Sequence, residues 1–309
     1  MISGSRSCFF LIAMAIFAGS CKSYDDKENE KPDSGRRGTI HISADESFRP
    51  VIDEQVKVYE SNRPGTRIIV HYKPEADCLR DLAVDSIRMV IATRTYNEYE
   101  ESLMTDSLRV QPHTRVMARD AIAVIVHPDS PDSTFSMEEL RALLKGQFNK
   151  NLIPVFDGVK ATSTVRFIID SVLMGDSLTP TAMGVSSSEA VVDYVSQNPG
   201  VVGFIGVSWI GNPEDPQQLS FLKKVRVASL ESVNDPESFV KAYQENIYSG
   251  RYPLVRDLVY ILKERHKGLG YAFAGFMTGD IGQLIFRRAY LVPQVLKNFG
   301  VRPIELREE

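Results

Sequence analysis

Residues 118–126 are ARDAIAVIV, and the last six of them form an unbroken apolar run of strand length. A run that is apolar on both faces is typical of a strand covered by helices on both sides. His127-Pro128-Asp129 ends the run, because proline lacks the N–H that a strand ladder needs. The stretch therefore predicts a central strand of an α/β sheet. A second long β-type run, LVRDLVYIL at 254–262, is the other candidate for a strand that passes between two parts of the molecule.

Short β-rich runs alternate with helical stretches along the rest of the chain. The order strand, helix, strand implies parallel pairing through right-handed crossovers. The clearest helix start is at Ser136, where Glu139 completes a capping box, and Gly146 predicts the end of that helix. The predicted strands are 39–43, 67–71, 88–92, 121–126, 200–207 and 254–262, and the predicted helices are 47–60, 76–84, 136–145, 162–172, 188–197, 271–277 and 281–288.

The composition is that of a folded soluble protein large enough for two domains. The chain has 309 residues, of which 43% are hydrophobic and 25% are charged, and a domain usually takes about 150 residues. With 36 Lys+Arg against 40 Asp+Glu, the formal net charge is −4. This balance lacks the positive charge that general nucleic-acid binding requires, so any bound anion must be held by a local site.

The start of the chain is typical of an exported protein. Arg6, the apolar run at 8–17 (CFFLIAMAIF) and the small residues after it predict a signal peptide over 1–20. The segment Ala18-Gly19-Ser20-Cys21 resembles the lipobox of bacterial lipoproteins. That resemblance implies cleavage before Cys21 and a lipid on its thiol.

Residues 21–38 are almost wholly polar and predict a flexible tether, because they carry too little apolar surface to order themselves. The body that follows contains one cysteine, Cys78. A single cysteine cannot form an internal disulfide, so Cys78 is expected to be a small buried hydrophobic residue.

The sequence offers little support for an enzyme. Its five histidines are scattered without the spacing of a metal site. The stretch GVSWIG at 206–211 is close to a nucleophile elbow, but the G-x-S-x-G pattern needs glycine at Ile210. An exported hydrolase that uses Ser208 is therefore the least favoured hypothesis. The phosphate-binding patterns G-x-x-x-x-G-K-[ST] and G-x-G-x-x-G do not occur, and neither a metal nor a cofactor is expected.

Hydroxyl residues occur where predicted strands give way to helices. Ser47 follows the first strand, Thr93 follows 88–92, and Thr162-Ser163-Thr164 opens a helix. In an open α/β sheet these ends face the crevice in which ligands bind. Helix starts carry unpaired N–H groups and the positive end of the helix dipole, so several together can hold a small oxyanion. Each hydroxyl also fits a simple N-cap.

Arg94 and Arg166 are the candidate cations of such a site. Arg166 lies near the start of its helix, where a cation opposes the helix dipole. An anionic ligand would explain it, and so would an i,i+4 pair with Asp170. Arg94 lies on the loop after a strand, which favours a functional role.

Several longer motifs occur in a fixed order along the body. They are 118–126 with Pro128, the helix and glycine at 136–146, NPGVVGF at 198–204, SGRYPLVR at 249–256, Gly282-Gln283, and YLVP at 290–293. Together they resemble the periplasmic phosphate-binding proteins of the PstS-like type, part of the type II solute-binding superfamily that serves ABC transporters. The resemblance covers about residues 39–293.

The resemblance implies an α/β fold of two lobes, each a mostly parallel sheet flanked by helices, joined by two hinge strands. Lobe 1 is expected at 39–120 plus 257–309, and lobe 2 at 121–256. The ligand is expected between them. With Arg166 added from the charge argument, the expected ligand-binding residues are Ser47, Phe48, Thr93, Arg94, Thr162, Ser163, Thr164 and Arg166.

The chain departs from the family pattern at three places. Arg94 stands where phosphate specialists have an aspartate that accepts the ligand's proton, and Gly158 stands where they have a cleft arginine. Residues 73–76 (KPEA) replace a serine-rich loop. Arg94 is then expected to supply the missing charge and to favour a fully ionised oxyanion.

The expected function is that of an extracytoplasmic lipoprotein that binds inorganic phosphate or a related oxyanion, without covalent chemistry, and delivers it to an ABC importer. Its expected partners are the transporter permease and, through lipid on Cys21, the membrane; no nucleic acid is expected, and the protein is expected to be a monomer. The alternative is an exported lipoprotein that reuses the fold as a sensor or protein-interaction module. Failure to bind any small anion, together with a stable partner protein, would favour that alternative.

Overall fold

The computed structural model describes residues 33–158, 162–211 and 216–295. The predicted signal peptide and Cys21 lie outside the described residues. The described chain alternates strands and helices, as the sequence predicts, and confirms the α/β class.

The strands form one ten-stranded mixed sheet and a small three-stranded sheet. In chain order they are β1 (Gly38–Asp45), β2 (Thr66–Lys73), β3 (Ile87–Ala92), β4 (His113–Val126), β5 (Thr134–Phe135), β6 (Ile153–Phe156), β7 (Met183–Gly184), β8 (Val201–Gly206), β9 (Arg226–Val227), β10 (Ser229–Glu231), β11 (Phe239–Val240), β12 (Val255–Leu262) and β13 (Val292–Pro293).

Helices connect most of these strands. They are α1 (Arg49–Ser61), α2 (Glu75–Arg80), α3 (Glu98–Ser102), α4 (Met137–Lys145), α5 (Ser163–Phe167), α6 (Ser188–Gln197), α7 (Pro216–Lys224), α8 (Gln244–Tyr248), α9 (Leu269–Met277) and α10 (Asp280–Arg288). Single 3₁₀ turns cover Glu46–Phe48, Asp81–Ala83 and Val207–Trp209, and π-helical turns follow α3 at Leu103–Ser107 and α5 at Ile168–Val172.

The large sheet has two parts joined by β4 and β12. Eight of its ten strands lie in the order β2-β1-β3-β12-β4-β8-β6-β7, and the short strands β9 and β13 each pair with β4. We call β1, β2 and β3 the first half-sheet and β6, β7 and β8 the second half-sheet. The strands within each half-sheet pair in parallel, whereas β4 and β12 run antiparallel to their neighbours.

Strand β4 links the two half-sheets because it is long enough to pair with different strands along its length. Up to Ala121 it pairs with β12, and from Ile122 to Val126 it pairs with β8. The predicted apolar run is fully buried, as its composition requires. The observed strand starts earlier than the prediction, at His113. Its first residues alternate between more and less exposed positions, so they do not form the continuous apolar run on which the prediction rests.

Helix boundaries follow the capping signals in the sequence. The capping box of Ser136 and Glu139 is present at the start of α4, and Gly146 ends that helix with a φ of 71°. This left-handed conformation is one that glycine adopts without steric cost. The predicted helix at 162–172 begins at Ser163, with Thr162 as its N-cap, and its second half is π-helical.

The predicted tether is wrong over its last six residues. Residues 33–38 pack against the body, and Asp33 is buried. One oxygen of its carboxylate accepts a hydrogen bond from the backbone N–H of Leu269 at 2.6 Å, and the other lies 3.5 Å from Arg88. An acidic cap on α9 and an ion pair therefore order a polar segment that has little apolar surface of its own. Residues 21–32 lie outside the described part of the chain.

Two smaller expectations concern burial and membrane helices. Cys78 is fully buried and has no disulfide partner among the described residues, which confirms its predicted role as a packing residue. Among the described residues, no helix combines the length and the apolar character that crossing a bilayer requires.

Gly203 allows α6 to pack closely on the sheet, and this contact gives a test of the fold. A Cβ at that position would lie 2.7 Å from Val195 Cγ2 and 2.8 Å from side-chain atoms of Ile125 and Val191. We expect Gly203→Ala to lower the free energy of unfolding by about 1–3 kcal/mol, the usual cost of overpacking. Urea denaturation followed by circular dichroism measures it.

The matched control is Gly275→Ala on the exposed face of α9, where an added Cβ meets nothing within 4 Å. This variant should be as stable as the wild type or more stable by up to about 1 kcal/mol, because alanine is the better helix former. Equal stability of Gly203→Ala and wild type would contradict the packing described.

Candidate functional site

Polar side chains from both half-sheets meet where the parallel strands end. The segment after β1, the end of β6, the 3₁₀ turn after β8 and the starts of α5 and α6 all contribute. We call this region the junction and define it by Ser47, Asp157, Ser163, Ser188 and Arg256. Strand ends in an open α/β sheet are the usual place for a ligand.

An ion pair between β4 and β12 lies at the base of the junction. Asp120 and Arg256 are register partners in the antiparallel ladder. Arg256 Nε donates to Asp120 Oδ2 at 2.8 Å, and the two side chains are 2% and 0% exposed. Since a buried charge without a partner is strongly destabilising, each residue depends on the other.

The rest of the Arg256 guanidinium faces the start of α5 and the segment after β1. Its Nη1 donates to Ser163 Oγ at 2.9 Å and to Thr164 Oγ1 at 3.4 Å. The guanidinium carbon lies 5.0 Å from the centre of the Phe48 ring, a cation–π distance. Its Nη2 is buried and has no hydrogen-bond partner among the described residues. Its N–H groups are therefore not used by the residues that the structure describes.

A second set of contacts joins the segment after β1 to the second half-sheet. Ser47 Oγ and Ser188 Oγ both donate to Asp157 Oδ2 at 3.2 Å. The backbone oxygen of Ser47 accepts hydrogen bonds from Trp209 Nε1 at 2.9 Å and from Ser208 Oγ at 3.3 Å. Ser47 thus contacts the second half-sheet through both its side chain and its backbone.

The junction contains several carboxylates with unused oxygens. Asp45 Oδ1 accepts from the N–H of Ser47 at 3.0 Å. Within the described residues, Asp45 Oδ2, Asp120 Oδ1 and Asp157 Oδ1 are buried without a donor in good hydrogen-bond geometry. Donors do lie near two of these carboxylates, because the Ser163 hydroxyl lowers the pKa of Asp45 and the backbone N–H groups of Ala121 and Val207 lower that of Asp120. A buried acceptor without a donor costs free energy, so these oxygens favour a ligand that carries hydrogen-bond donors.

Burial raises the pKa of these carboxyl groups. It raises the pKa of Asp45 to about 6, against the opposing charge of Arg256. It raises the pKa of Glu46 to about 7, and the negative charges of Asp157 and Asp45 add to that effect. Burial also raises the pKa values of Asp120 and Asp157, although Arg256 lowers both. The junction therefore holds groups that can take up protons near neutral pH.

A third contact links the two half-sheets beside the junction. Glu75, the first residue of α2, accepts hydrogen bonds from Thr93 and from Arg166 of α5. Burial would raise the pKa of Glu75, but Arg166 and Thr93 outweigh it and hold that pKa below its usual range. Arg166 also contacts Asp170, at 3.2 Å, so the i,i+4 pair expected from the sequence is present beside the contact with Glu75.

The structure does not bring all eight predicted residues together. Phe48, Ser163 and Thr164 contact Arg256, Ser47 donates to Asp157, and Thr93 and Arg166 donate to Glu75. Thr162 caps α5, and its Oγ1 accepts from the N–H of Val165 at 3.3 Å. Arg94 donates two hydrogen bonds of 2.8 Å to the carboxylate of Glu100, which balances its charge. The ligand-binding roles of all eight residues stay predictions.

Sequence reasoning missed the charged residues at the centre of the junction. They are Asp45, Glu75, Asp120, Asp157 and Arg256. Asp120 directly precedes the buried apolar run at 121–126, and Arg256 lies within the largely buried run at 254–262. A charge in such a place needs a partner. That signal was present in both β-type runs.

The geometry of the described residues does not suggest a metal site. Among them, no group of three or more histidine, cysteine, aspartate or glutamate side chains could hold a metal ion.

Comparisons with known proteins identify the family. A family model described as a PBP superfamily domain matches residues 29–280. The chain therefore belongs to the PBP superfamily. The phosphate-binding protein PstS of Pseudomonas aeruginosa is 21% identical over 265 residues, which are 79% of this chain and 78% of that protein.

Solved structures support the same fold. A Clostridium perfringens protein described as a phosphate ABC transporter substrate-binding protein, with phosphate bound, matches with a TM-score of 0.68 at 17% identity and covers 83% of this chain and 99% of its own. An ABC-type phosphate transport receptor from Vibrio cholerae matches with a TM-score of 0.61 at 18% identity, covering 83% and 100%. The predicted resemblance to PstS-like proteins and the two-lobed type II fold are confirmed.

The raised pKa of Asp45 gives a prediction about stability and pH. The folded-state pKa lies above the value of 3.8 in the unfolded chain, so the unfolded chain releases this proton first, and the contribution of Asp45 to stability falls as the pH rises from about 4 to about 6. Asp45→Asn keeps the acceptor for the Ser47 N–H and removes the buried charge. We expect it to raise the free energy of unfolding at pH 7.5 by on the order of 2 kcal/mol.

At pH 3 the difference between Asp45→Asn and wild type should largely disappear, because this pH lies below the Asp45 pKa of both the unfolded and the folded chain. Chemical denaturation of both proteins from pH 3 to pH 8 measures it. A variant that is less stable than wild type at pH 7.5 would contradict a buried, destabilising charge at this position.

Proposed function

We propose that the protein is an extracytoplasmic solute-binding lipoprotein that captures phosphate, or a closely similar oxyanion, at the junction and delivers it to an ABC importer. The observation that carries the proposal is the buried Arg256 Nη2, which has no partner among the described residues and belongs to a guanidinium that also contacts Ser163 and Thr164. A guanidinium with hydroxyls beside it provides charge-assisted hydrogen bonds to an oxyanion. The phosphate-binding relatives support the same ligand class.

The unpaired carboxylate oxygens favour phosphate over a fully ionised anion. Asp45, Asp120 and Asp157 each offer a buried acceptor, and phosphate keeps at least one P–OH donor at neutral pH. Sulfate has no proton to donate under the same conditions. Since a buried acceptor without a donor is costly, phosphate should bind more tightly than sulfate.

Binding requires no covalent step. The Ser208 hydroxyl is buried and donates to the backbone oxygen of Ser47 at 3.3 Å. A serine in this position is engaged in joining two segments and is not presented to a substrate as a nucleophile. We therefore favour a binding protein over an exported hydrolase.

The two connecting strands suggest how the ligand is enclosed. We place lobe 1 at 39–120 plus 257–309 and lobe 2 at 121–256, with β4 and β12 as the hinge. Donors on both lobes reach the ligand only when the lobes are together, so the ligand favours the closed state. A permease can then recognise the closed, loaded form. We expect the protein to act as a monomer.

The predicted donors can be tested by calorimetry with phosphate. Ser163→Ala and Thr164→Val each remove a hydroxyl beside Arg256, and each should weaken phosphate binding by roughly tenfold or more, the usual cost of a hydrogen bond to a charged group. The matched control is Ser102→Ala, which removes an exposed hydroxyl that donates to Tyr99 O of its own helix. The control should bind like wild type.

Unchanged phosphate affinity in both junction variants would remove the proposed site. If wild type binds neither phosphate, sulfate, molybdate nor an organic acid but forms a stable complex with another protein, the sensor or protein-interaction hypothesis is the correct one.

Cys21 is proposed to carry the lipid that anchors the protein. Cys21→Ser removes the thiol that the lipid would modify, so we expect the protein to move from the membrane fraction to the soluble fraction. Fractionation of cells that express each form, followed by mass spectrometry of the N-terminus, measures this. Equal membrane association of both forms would exclude lipid on Cys21 as the anchor.

A further inference from the structure

Glu75 accepts hydrogen bonds from two different parts of the fold. Its Oε1 accepts from Thr93 N at 2.7 Å and from Thr93 Oγ1 at 2.6 Å, in the segment after β3. Its Oε2 accepts from Arg166 Nε at 2.6 Å, on α5 of the second half-sheet. Arg166 Nη2 donates to Thr93 Oγ1 at 2.7 Å and closes the triangle.

These donors are of the kinds that hold an oxyanion. A backbone N–H, a hydroxyl and a guanidinium converge on one small anionic group. Here the anionic group belongs to the protein itself, and the Glu75 side chain is only 2% exposed. Arg166 is 30% exposed, so water has access to the arginine but hardly to the carboxylate.

We propose that Glu75 is a built-in anion that holds the two lobes together when no ligand is bound. An external anion can use Thr93 and Arg166 only after Glu75 has left them. The inference concerns the ligand-free protein, so it goes beyond the proposed function and can be tested separately from it.

The charges near the Glu75–Arg166 contact explain why this contact should control the closure of the two lobes. Glu75 lies close enough to influence the pKa values of Asp45 and Arg256, so it belongs to the same electrostatic environment as the junction. Within the closed form, loss of the Glu75 charge leaves Arg166 with only the exposed Asp170 as an acidic partner. Separating the lobes then lets water solvate the arginine fully. Removing one partner of a largely buried pair should shift the ratio of closed to open molecules by roughly tenfold or more.

The chain contains a natural reporter of this motion. Trp209 is its single tryptophan. It follows β8, donates from Nε1 to Ser47 O at 2.9 Å, and is 6% exposed. Separation of the lobes breaks that hydrogen bond and exposes the indole to water, which shifts its emission to longer wavelength.

The experiment compares wild type, Glu75→Gln and Arg166→Gln after exhaustive dialysis into chloride buffer without phosphate or sulfate. Tryptophan emission and the radius of gyration from small-angle X-ray scattering are measured on each. We expect wild type to be compact with a buried tryptophan, and both variants to show red-shifted emission and a larger radius of gyration. The double variant should resemble either single variant, because both remove the same contact.

Asp170→Asn is the matched control. This variant removes the second carboxylate that contacts Arg166. Asp170 is only four residues from Arg166 and does not join the two lobes, so the emission and the radius of gyration should stay as in wild type. Thermal unfolding of every variant confirms that each is folded, and two independent variants guard against a folding defect in one.

Wild-type emission and radius of gyration in both Glu75→Gln and Arg166→Gln would overturn the proposal. An open ligand-free wild type would overturn it as well. Neither outcome depends on phosphate binding, so failure of this inference is distinguishable from failure of the proposed function.

Discussion

The ion pair between Asp120 and Arg256 is the interaction on which the junction depends. The two residues are 136 positions apart in the chain, yet the register of β4 and β12 places them side by side. Desolvating two charges is costly, and the pair is tolerated because Nη1 of the guanidinium also donates to Ser163 and Thr164 and the guanidinium lies over the Phe48 ring. One arginine on a connecting strand thereby orients residues from both halves of the sheet.

Arg256 offers a buried guanidinium in a chain that lacks the cleft arginine of the family pattern. Gly158 stands where a cleft arginine is expected, and Arg94, the predicted replacement, is paired with Glu100. The structure supplies a buried guanidinium from β12 instead. A mildly acidic chain can therefore present a local positive group at the junction, while the surrounding carboxylates restrict which anions suit it.

Local sequence signals predicted the elements of the fold well, because those signals act over a few residues. The capping box at Ser136 and the apolar run at 121–126 need no information from distant parts of the chain. The hydroxyl residues Ser47, Ser163 and Thr164 were placed near one another for the same reason, since strand ends and helix starts can be recognised locally. The packing of 33–38 was missed because Asp33 is ordered by Leu269 and Arg88, far along the sequence.

The charged residues show where such reasoning stops. The partner of Arg166 on α2 is 91 residues away, and no local pattern reveals that Glu75 accepts from it. Arg94 is different, because Glu100 is the third residue of α3 and forms a capping box with Asn97, which the sequence alone could have indicated. Long-range pairing of charges is set by strand register and lobe contacts, and these become visible only in the folded chain.

The most direct test of the central claim is a crystal structure of the protein grown with arsenate, a phosphate analogue whose arsenic can be located by anomalous scattering. The account predicts an arsenic peak at the junction, with an arsenate oxygen within hydrogen-bond distance of Arg256 Nη2 and of the Ser163 or Thr164 hydroxyl. A crystal saturated with arsenate that shows no peak there, or shows one only elsewhere on the surface, would contradict it.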